Sequence, residues 1–253
     1  MLNLKELIPS YSDNKLLPLI HCTDFFSFRE ILNSSKLETT LCTVFDKELL
    51  YMFYGRPAYR VSSGVNCFTN SAYLPVAFLF EATNLTGIEQ IYPFDTGAFN
   101  NGIFKSFIHP KSKLQDFELD KNVEQLSSFV EYFYGKNANY YLGRAKEITK
   151  HYVNNIELET YYDIIRSTGN SEIDDRKYTI EISLNQAISL EGVVSNVILP
   201  ISLINEDILS KISISWKANI HNYPDIYGGN IDIQNGALRA RVYDILKEGG
   251  YFV

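Results

Sequence analysis

The 253-residue chain lacks the short motifs that mark the common nucleotide, protease and hydrolase sites. It has no GxGxxG after a predicted strand, no Walker A sequence, no HExxH and no GxSxG, which excludes the ordinary forms of those sites. Its four histidines, His21, His109, His151 and His221, lie far apart, and only His21 has a cysteine and an aspartate close by. We therefore expect no metal site.

Cysteine and long apolar runs are scarce as well. Cys22, Cys42 and Cys67 form no CxxC pair, and their odd number fits no closed disulfide framework, so a reducing compartment is the simpler expectation. No stretch reaches the roughly 18 apolar residues of a membrane span. The N-terminal segment carries charges and a proline where a signal peptide has an apolar core. We expect a cytoplasmic protein that does not enter membranes.

Basic residues are fewer than acidic ones, which gives a formal net charge of −7. Because phosphate binding depends on clustered Lys and Arg, this balance does not favour a protein that holds long duplex nucleic acid by its overall field. Aromatic residues are plentiful, with 18 Tyr and 16 Phe. Tyrosine combines an apolar face with a polar tip, which suits aromatic-lined pockets, although an AT-rich genome produces the same composition.

Hydrophobic patterning predicts an α+β fold with a mixed, mostly antiparallel sheet and flanking helices. Runs rich in apolar and β-branched residues predict strands at 16–22, 39–45, 49–54, 75–81, 178–184 and 193–200. Helical spacing predicts helices at 25–35, 122–135, 140–153, 205–212 and 237–249. Turn-rich composition predicts loops at 91–102, 166–177 and 225–236. We expect one domain over 1–253 with a helical insertion at about 112–165.

The segment His21-Cys22-Thr23 ends the first predicted strand, directly before a helix that Thr23 and Asp24 are suited to cap. Strand alternation puts His21 and Thr23 on one face, where both side chains can reach one ligand. The N–H groups at the start of the helix suit phosphate or ribose oxygens. The alternative is that His21 hydrogen-bonds the backbone within a turn while Thr23 only caps the helix.

A second candidate segment, 49–60, carries the tyrosines and arginines Tyr51, Tyr54, Arg56, Tyr59 and Arg60 around the end of a strand. Aromatic faces and guanidinium groups can together hold a nicotinamide or adenine ring and a pyrophosphate. The alternative is an aromatic edge strand with its arginines in solvent.

Glu181 is the third candidate. Alternation places Thr179, Glu181 and Ser183 on one face of a strand and the apolar Ile180 and Ile182 on the other. If the isoleucines face the core, Glu181 points towards a cleft, where a carboxylate can bind a ribose hydroxyl and stabilise positive charge at an anomeric carbon. The alternative is an ordinary solvent-facing glutamate on an amphipathic strand.

Taken in this order, the three segments resemble ADP-ribosyltransferases of the diphtheria-toxin and PARP type, and most nearly the DarT-like bacterial branch. IHCTDFFSFREILNSSKLE is similar to the opening His-x-Thr strand and helix of that branch. MFYGRPAYR stands at the place of its aromatic and Arg-Pro-containing middle motif, and DDRKYTIEI is similar to its Glu-bearing strand. The resemblance covers residues 20–182 and implies an ADP-ribosyltransferase-like fold with a split sheet.

The resemblance also implies which residues hold NAD as a substrate. His21 would bind the ribose on the adenosine side, and Thr23 would support it. Arg56 or Arg60 would pair with the pyrophosphate.

For the reacting end of NAD, the resemblance implies that Tyr54 stacks on the nicotinamide, with Tyr51 and Tyr59 as alternatives. Glu181 would hold the nicotinamide ribose and assist the departure of nicotinamide, after which an acceptor nucleophile attacks. Glu191, which also precedes a strand, is a rival for that role. The loop 166–177 would recognise the acceptor.

The resemblance therefore implies an NAD-dependent ADP-ribosyltransferase that modifies a protein or nucleic acid. Bacterial relatives of this type act as toxins or in anti-phage defence, which implies an antitoxin or regulatory partner. Two alternatives stay open, because a fold does not secure an activity. One is a non-catalytic nucleotide-binding or protein-interaction protein on the same scaffold, and the other is an unrelated enzyme, including the RNA 2′-phosphotransferase kind.

Overall fold

The alternation of apolar runs with turn-forming residues produces a sheet built from many short strands. The computed structural model describes residues 11–59, 71–148, 156–167, 175–225 and 231–252. Its strands are β1 (Leu19–Asp24), β2 (Lys36–Leu37), β3 (Thr40–Cys42), β4 (Lys47–Tyr54), β5 (Pro75–Phe80), β6 (Ile88–Tyr92), β7 (Glu181–Leu184), β8 (Ile188–Ser189), β9 (Val194–Pro200) and β10 (Asn219–Tyr223).

The helices are short apart from the last. They are α1 (Phe25–Ser34), α2 (Thr96–Asn100), α3 (Gln125–Tyr134), α4 (Asn137–Tyr141), α5 (Ile156–Arg166), α6 (Glu206–Ser210) and α7 (Ile231–Glu248). The start of α1 follows from its sequence, since the Asp24 side chain accepts a hydrogen bond of 2.7 Å from the backbone N–H of Ser27, as an N-cap does. Ser35, at φ 55°, ends the helix in the left-handed region.

The fold is α+β with a mixed, mostly antiparallel sheet. The strand order in the main sheet is β10-β9-β5-β1-β4-β7-β6, with β3 added to β4, and β2 pairs with β8 in a second, two-stranded sheet. The pair β9–β10 is parallel, and the chain crosses between these strands through α6. The order brings β1, β4 and β7, which are distant in sequence, side by side in the middle of the sheet.

Burial on both faces characterises the centre of the main sheet. All six residues of β5 and all four of β7 are buried, which fits strands covered on two sides. The buried side chains of strands and helices form one hydrophobic cluster, in which Phe94 contacts Phe99, Phe104, Phe117 and Tyr161. No helix within the described ranges is long and apolar enough to span a bilayer.

Several local predictions are wrong. The helix predicted over 140–153 ends at Tyr141 in its described part, because Gly143 takes φ +67° and a Cβ at that position would lie 2.7 Å from the ring of Tyr178. The predicted loop 91–102 contains the end of β6 and the whole of α2, and α7 begins at Ile231 inside the predicted loop 225–236. Strand β10 and helix α5 were not predicted.

Candidate functional site

The candidate site lies where the three central strands meet. In the sheet, Ile20 of β1 is opposite Phe53 of β4, and Phe53 is opposite Glu181 of β7. Segments separated by up to 160 positions are thereby brought together on adjacent strands. The three motifs identified in the sequence therefore converge on one region of the fold.

Strands β1 and β4 separate at this region. Their backbone pairing ends at Ile20 and Phe53, although β1 continues to Asp24 along its other neighbour, β5. The His21 side chain bridges the two diverging strands, because its Nδ1 lies 2.9 Å from the carbonyl oxygen of Tyr51. A carbonyl only accepts, so Nδ1 carries a proton and donates it. His21 therefore binds the backbone, as the local alternative predicted, but it does so across strands rather than within a turn.

Burial lowers the pKa of His21, although the bond to Tyr51 opposes that shift. The imidazole is therefore neutral at pH 7, and its second ring nitrogen, Nε2, is a hydrogen-bond acceptor. Such a nitrogen suits a hydroxyl donor, for example on a sugar.

A pocket of about 510 Å³ opens beside the separated strands, a volume typical of small-molecule sites. It brings together four of the residues singled out in the sequence, namely Thr23, Tyr51, Tyr59 and Glu181. The other lining residues come from β1, from the β3–β4 hairpin, from the end of β4 and from the start of α2: Cys22, Asp24, Leu41, Cys42, Thr43, Val44, Phe53, Ala58, Asp95, Thr96 and Gly97.

A second pocket, of about 310 Å³, shares Thr23 and Tyr51 with the first. It also contains His21 and the charged residues Lys36, Glu30 and Glu38, together with further residues of α1, of the following segment and of β4. Thr23 and Tyr51 thus stand between two spaces, one holding Glu181 and the other holding His21.

Glu181 is a buried carboxyl group of the site with a strongly shifted pKa. Its side chain is 5% exposed, and its carboxyl oxygens accept hydrogen bonds from the Thr96 hydroxyl at 2.6 Å and from the Thr96 backbone N–H at 3.2 Å. Burial, and secondarily the nearby Asp95, raises the pKa of Glu181 to about 8, against the opposing effect of the Thr96 bonds. The group is therefore largely protonated at neutral pH. It lies on the face opposite Ile180 and Ile182, as alternation predicts.

Tyr51 is fixed at the boundary of the two pockets. Its hydroxyl donates to the sulfur of Cys42 at 2.7 Å, and burial is the main cause that raises the pKa of Tyr51. The phenol is therefore neutral, with its ring half-buried in the wall of both pockets.

Tyr54 and Arg56 line neither of these two pockets. The Tyr54 side chain is fully buried, and its hydroxyl accepts from the backbone N–H of Leu17 at 3.1 Å. Alternation explains this position, because Tyr54 and Tyr51 are three residues apart on one strand and face opposite sides. The Arg56 guanidinium donates to the carbonyls of Tyr140 and Tyr141. The implied stacking and pyrophosphate roles of Tyr54 and Arg56 are therefore not supported by their positions.

The remaining candidates are not part of the site as described. Arg60 lies outside the described residues, and so does most of the loop 166–177. Glu191 is exposed in the turn before β9 and lines neither pocket. Glu181 rather than Glu191 is therefore the carboxyl that the fold places in a pocket.

Asp95 and Thr96 are site residues that the sequence analysis missed. Asp95 caps α2 by accepting from the N–H of Ala98 at 2.6 Å, and this cap positions Thr96 against Glu181. The sequence offers one signal for α2, an aspartate three residues before the N–H that it caps. This signal lies inside a segment whose glycine and asparagine content predicts a loop. Nothing in the sequence indicated that Thr96 meets a residue 85 positions away.

The pocket that holds Glu181 is acidic. Asp24, Asp95 and Glu181 line it, and among its described lining residues there is no lysine or arginine. In the part of the chain that the structure covers, no group of three or more His, Cys, Asp and Glu side chains has a metal-binding arrangement. The pocket thus favours a neutral or cationic group by its charge.

The comparisons with known proteins add no family. No protein-family model matches the chain, and no curated protein matches it significantly. Function must therefore be argued from the two pockets themselves.

Proposed function

We propose that this protein is an NAD-dependent ADP-ribosyltransferase of the diphtheria-toxin and PARP type, with Glu181 as the catalytic residue. The observation that carries the proposal is the convergence of His21, Tyr51 and Glu181 on three adjacent strands around two neighbouring pockets that share lining residues. These residues come from three segments that resemble that family in the same order. If the resemblance of the three segments were due to chance, there would be no reason for them to line the same region of the folded protein.

The chemistry of the two pockets suits opposite ends of NAD. The nicotinamide ring carries positive charge, which the acidic pocket of Asp24, Asp95 and Glu181 favours. The pyrophosphate requires a cation, and Lys36 supplies the one cation among the described residues of the pocket that holds His21, which Glu30 and Glu38 also line. We therefore assign the pyrophosphate to Lys36 in place of Arg56. His21 Nε2 and the Thr23 hydroxyl are then available for ribose hydroxyls.

Glu181 acts in its ionised form in this proposal. The carboxylate binds a hydroxyl of the nicotinamide ribose and stabilises the positive charge that develops as the bond to nicotinamide breaks. Tyr51 and Tyr59 take over the stacking role first given to Tyr54, because both line the acidic pocket. The acceptor is a macromolecule, and the acidic walls favour a protein over a nucleic acid.

The experiment measures nicotinamide release from labelled NAD in the presence of cell extract. Glu181→Gln keeps the shape of the side chain and removes its charge, so we expect release to fall about 100-fold or more. Glu191→Gln makes the same chemical change at an exposed glutamate outside the pocket and should leave the rate unchanged. Nicotinamide release that is insensitive to Glu181→Gln would refute the assignment.

One observation favours a second candidate, a protein that binds NAD without consuming it. Both oxygens of Glu181 are already bonded to Thr96, and the raised pKa keeps the carboxyl protonated at neutral pH. A binding protein of this kind would show an NAD-dependent rise in melting temperature, since ligand at 100 times its Kd stabilises by about 2.7 kcal/mol. It would release no nicotinamide at any pH.

A further inference from the structure

A third cavity, of about 600 Å³, shares no lining residue with the two pockets described above. It is bounded by the end of β4, the end of α4, the turn that leads into β7 and one face of α7. Its lining residues are Arg56, Tyr141, Leu142, Asp175, Tyr178, Gly236, Arg239, Ala240, Tyr243 and Asp244.

The guanidinium of Arg56 stands at the inner wall of this cavity and is only 3% exposed. Its Nη1 donates to the carbonyl oxygens of Tyr140 at 2.8 Å and Tyr141 at 2.7 Å. Nε is buried without a hydrogen-bond partner, and the described residues supply no partner for Nη2. Among the described residues, Nη2 therefore keeps unused donors, and a guanidinium N–H of this kind binds a carboxylate or phosphate oxygen through a charge-assisted hydrogen bond.

Within the described ranges, no carboxylate lies within salt-bridge distance of Arg56. The nearby Asp175 favours the charge of Arg56, but its carboxylate is paired with Arg239 at 2.5 Å. Burial, and secondarily Arg239, lowers the pKa of Arg56, which is the sign of a positive charge held in an unfavourable environment. A buried cation of this kind is normally neutralised by an anion.

Three tyrosines contribute to the other walls of the cavity, which also contain the charged Asp175, Arg239 and Asp244. The rings of Tyr178 and Tyr141 lie 5.3 Å and 5.9 Å from the guanidinium carbon of Arg56, and Tyr243 packs edge-on against Tyr141 with ring centroids 5.5 Å apart. Tyrosine faces of this kind pack well against a flat ring. The cavity thus combines flat tyrosine faces with the guanidinium of Arg56, next to the ion pair of Arg239 and Asp175.

We propose that this cavity binds a small planar aromatic compound that carries one carboxylate or phosphate group. The oxyanion accepts a hydrogen bond from Nη2 of Arg56, and the ring packs against Tyr178, Tyr141 and Tyr243. The site is separate from the pocket of Glu181. If no such compound binds this cavity, the proposed transferase function is unaffected. If the transferase function is refuted, binding to this cavity is equally unaffected.

The test measures binding of four small probes by protein-observed NMR titration. Benzoate and phenyl phosphate carry the two oxyanions, benzyl alcohol is a neutral control, and cyclohexanecarboxylate is an anion without an aromatic ring. For probes of this size we expect a Kd on the order of 1 mM for the better aromatic anion, and at least tenfold weaker binding of both controls. Equal binding of benzyl alcohol would overturn the role of the anion, and equal binding of cyclohexanecarboxylate would overturn that of the ring.

Two variants locate the binding. Gly236 lies on α7 in the cavity wall, and a Cβ there meets nothing within 4 Å. Gly236→Leu should fill the cavity without disturbing the fold, because leucine is the better helix former, and should weaken binding at least tenfold. Gly236→Ala is the matched control and should bind as the wild type does. Undiminished binding to Gly236→Leu would overturn the assignment of the site.

Arg56→Lys tests the guanidinium itself, since lysine keeps the charge but loses the planar group that carries Nη2. We expect binding of the aromatic anions to weaken at least tenfold. Should this buried substitution prevent folding, the comparison of the two Gly236 variants still decides the proposal. Unchanged affinity in folded Arg56→Lys would show that Arg56 does not bind the anion.

Discussion

Replacing Glu181 with glutamine should stabilise the protein, by an amount that grows with pH. Burial, and secondarily Asp95, raises the pKa of this carboxyl from an ordinary value of 4.5 to about 8. Between these values the folded protein keeps a proton that the unfolded chain has lost, so the free energy of unfolding falls as the pH rises from 4.5 to 8. The difference between the two pKa values corresponds to ~5 kcal/mol above pH 8, and to ~3 kcal/mol at pH 7.

Glutamine removes this penalty because it imitates the protonated carboxyl. Its amide oxygen can accept from the N–H of Thr96, and its amide nitrogen can donate to the Thr96 hydroxyl. The variant should therefore match the wild type near pH 4.5 and exceed it at every higher pH. Other titrating groups are common to both proteins, so they cancel in the difference.

The assay is urea unfolding of both proteins at pH 5, 7 and 9, with the free energy of unfolding obtained from the midpoint and the slope. Glu191→Gln is the control, because the same change at an exposed site should give a small difference that does not vary across this range. A difference between Glu181→Gln and wild type that stays constant from pH 5 to pH 9 would refute the raised pKa. A variant that becomes relatively less stable with rising pH would refute it equally.

Four further outcomes are expected. Nicotinamide release by the wild type should rise about tenfold per pH unit below pH 8 and then level off, because ionised Glu181 is the active form; a flat profile from pH 6 to 9 would contradict this. Lys36→Gln should raise the KM for NAD roughly tenfold with kcat unchanged, since the lost contact is to the pyrophosphate. Tyr54→Phe should lower the free energy of unfolding by about 1–3 kcal/mol without affecting NAD binding, because it leaves the N–H of Leu17 unpaired. Gly55→Ala should cost about 2–4 kcal/mol in urea unfolding, because Gly55 has φ +61° and a Cβ would lie 2.5 Å from Leu17.

The class of the fold and its central strands could be predicted from the sequence because their signals are local. Helix α1 follows from helical spacing and from the cap that Asp24 provides. The face of Glu181 follows from strand alternation with Ile180 and Ile182. The same alternation, applied to β4, places Tyr51 and Tyr54 on opposite faces of the strand. The roles implied by the resemblance did not make this distinction, because they offered both tyrosines for the same stacking position.

The remaining features depend on contacts that no local pattern encodes. Strand β10 reads as a weak polar segment because it lies at the edge of the sheet, and only its parallel pairing with β9 makes it a strand. Thr96 belongs to the site because the start of α2 meets β7, where Thr96 bonds to Glu181. Arg56 does not line the site, because its guanidinium is bound to the carbonyls of Tyr140 and Tyr141. These arrangements are set by tertiary packing, which overrides local composition.

The two ring nitrogens of His21 have different roles, because Nδ1 is bonded to the carbonyl of Tyr51 and Nε2 is not. Nδ1 carries a proton in both the neutral and the charged imidazole, so acidification leaves the bridge between β1 and β4 in place. Nε2 changes from acceptor to donor in the same step. The opening between the strands is therefore a constant of the fold, whereas the polarity that it presents to a ligand inverts with pH.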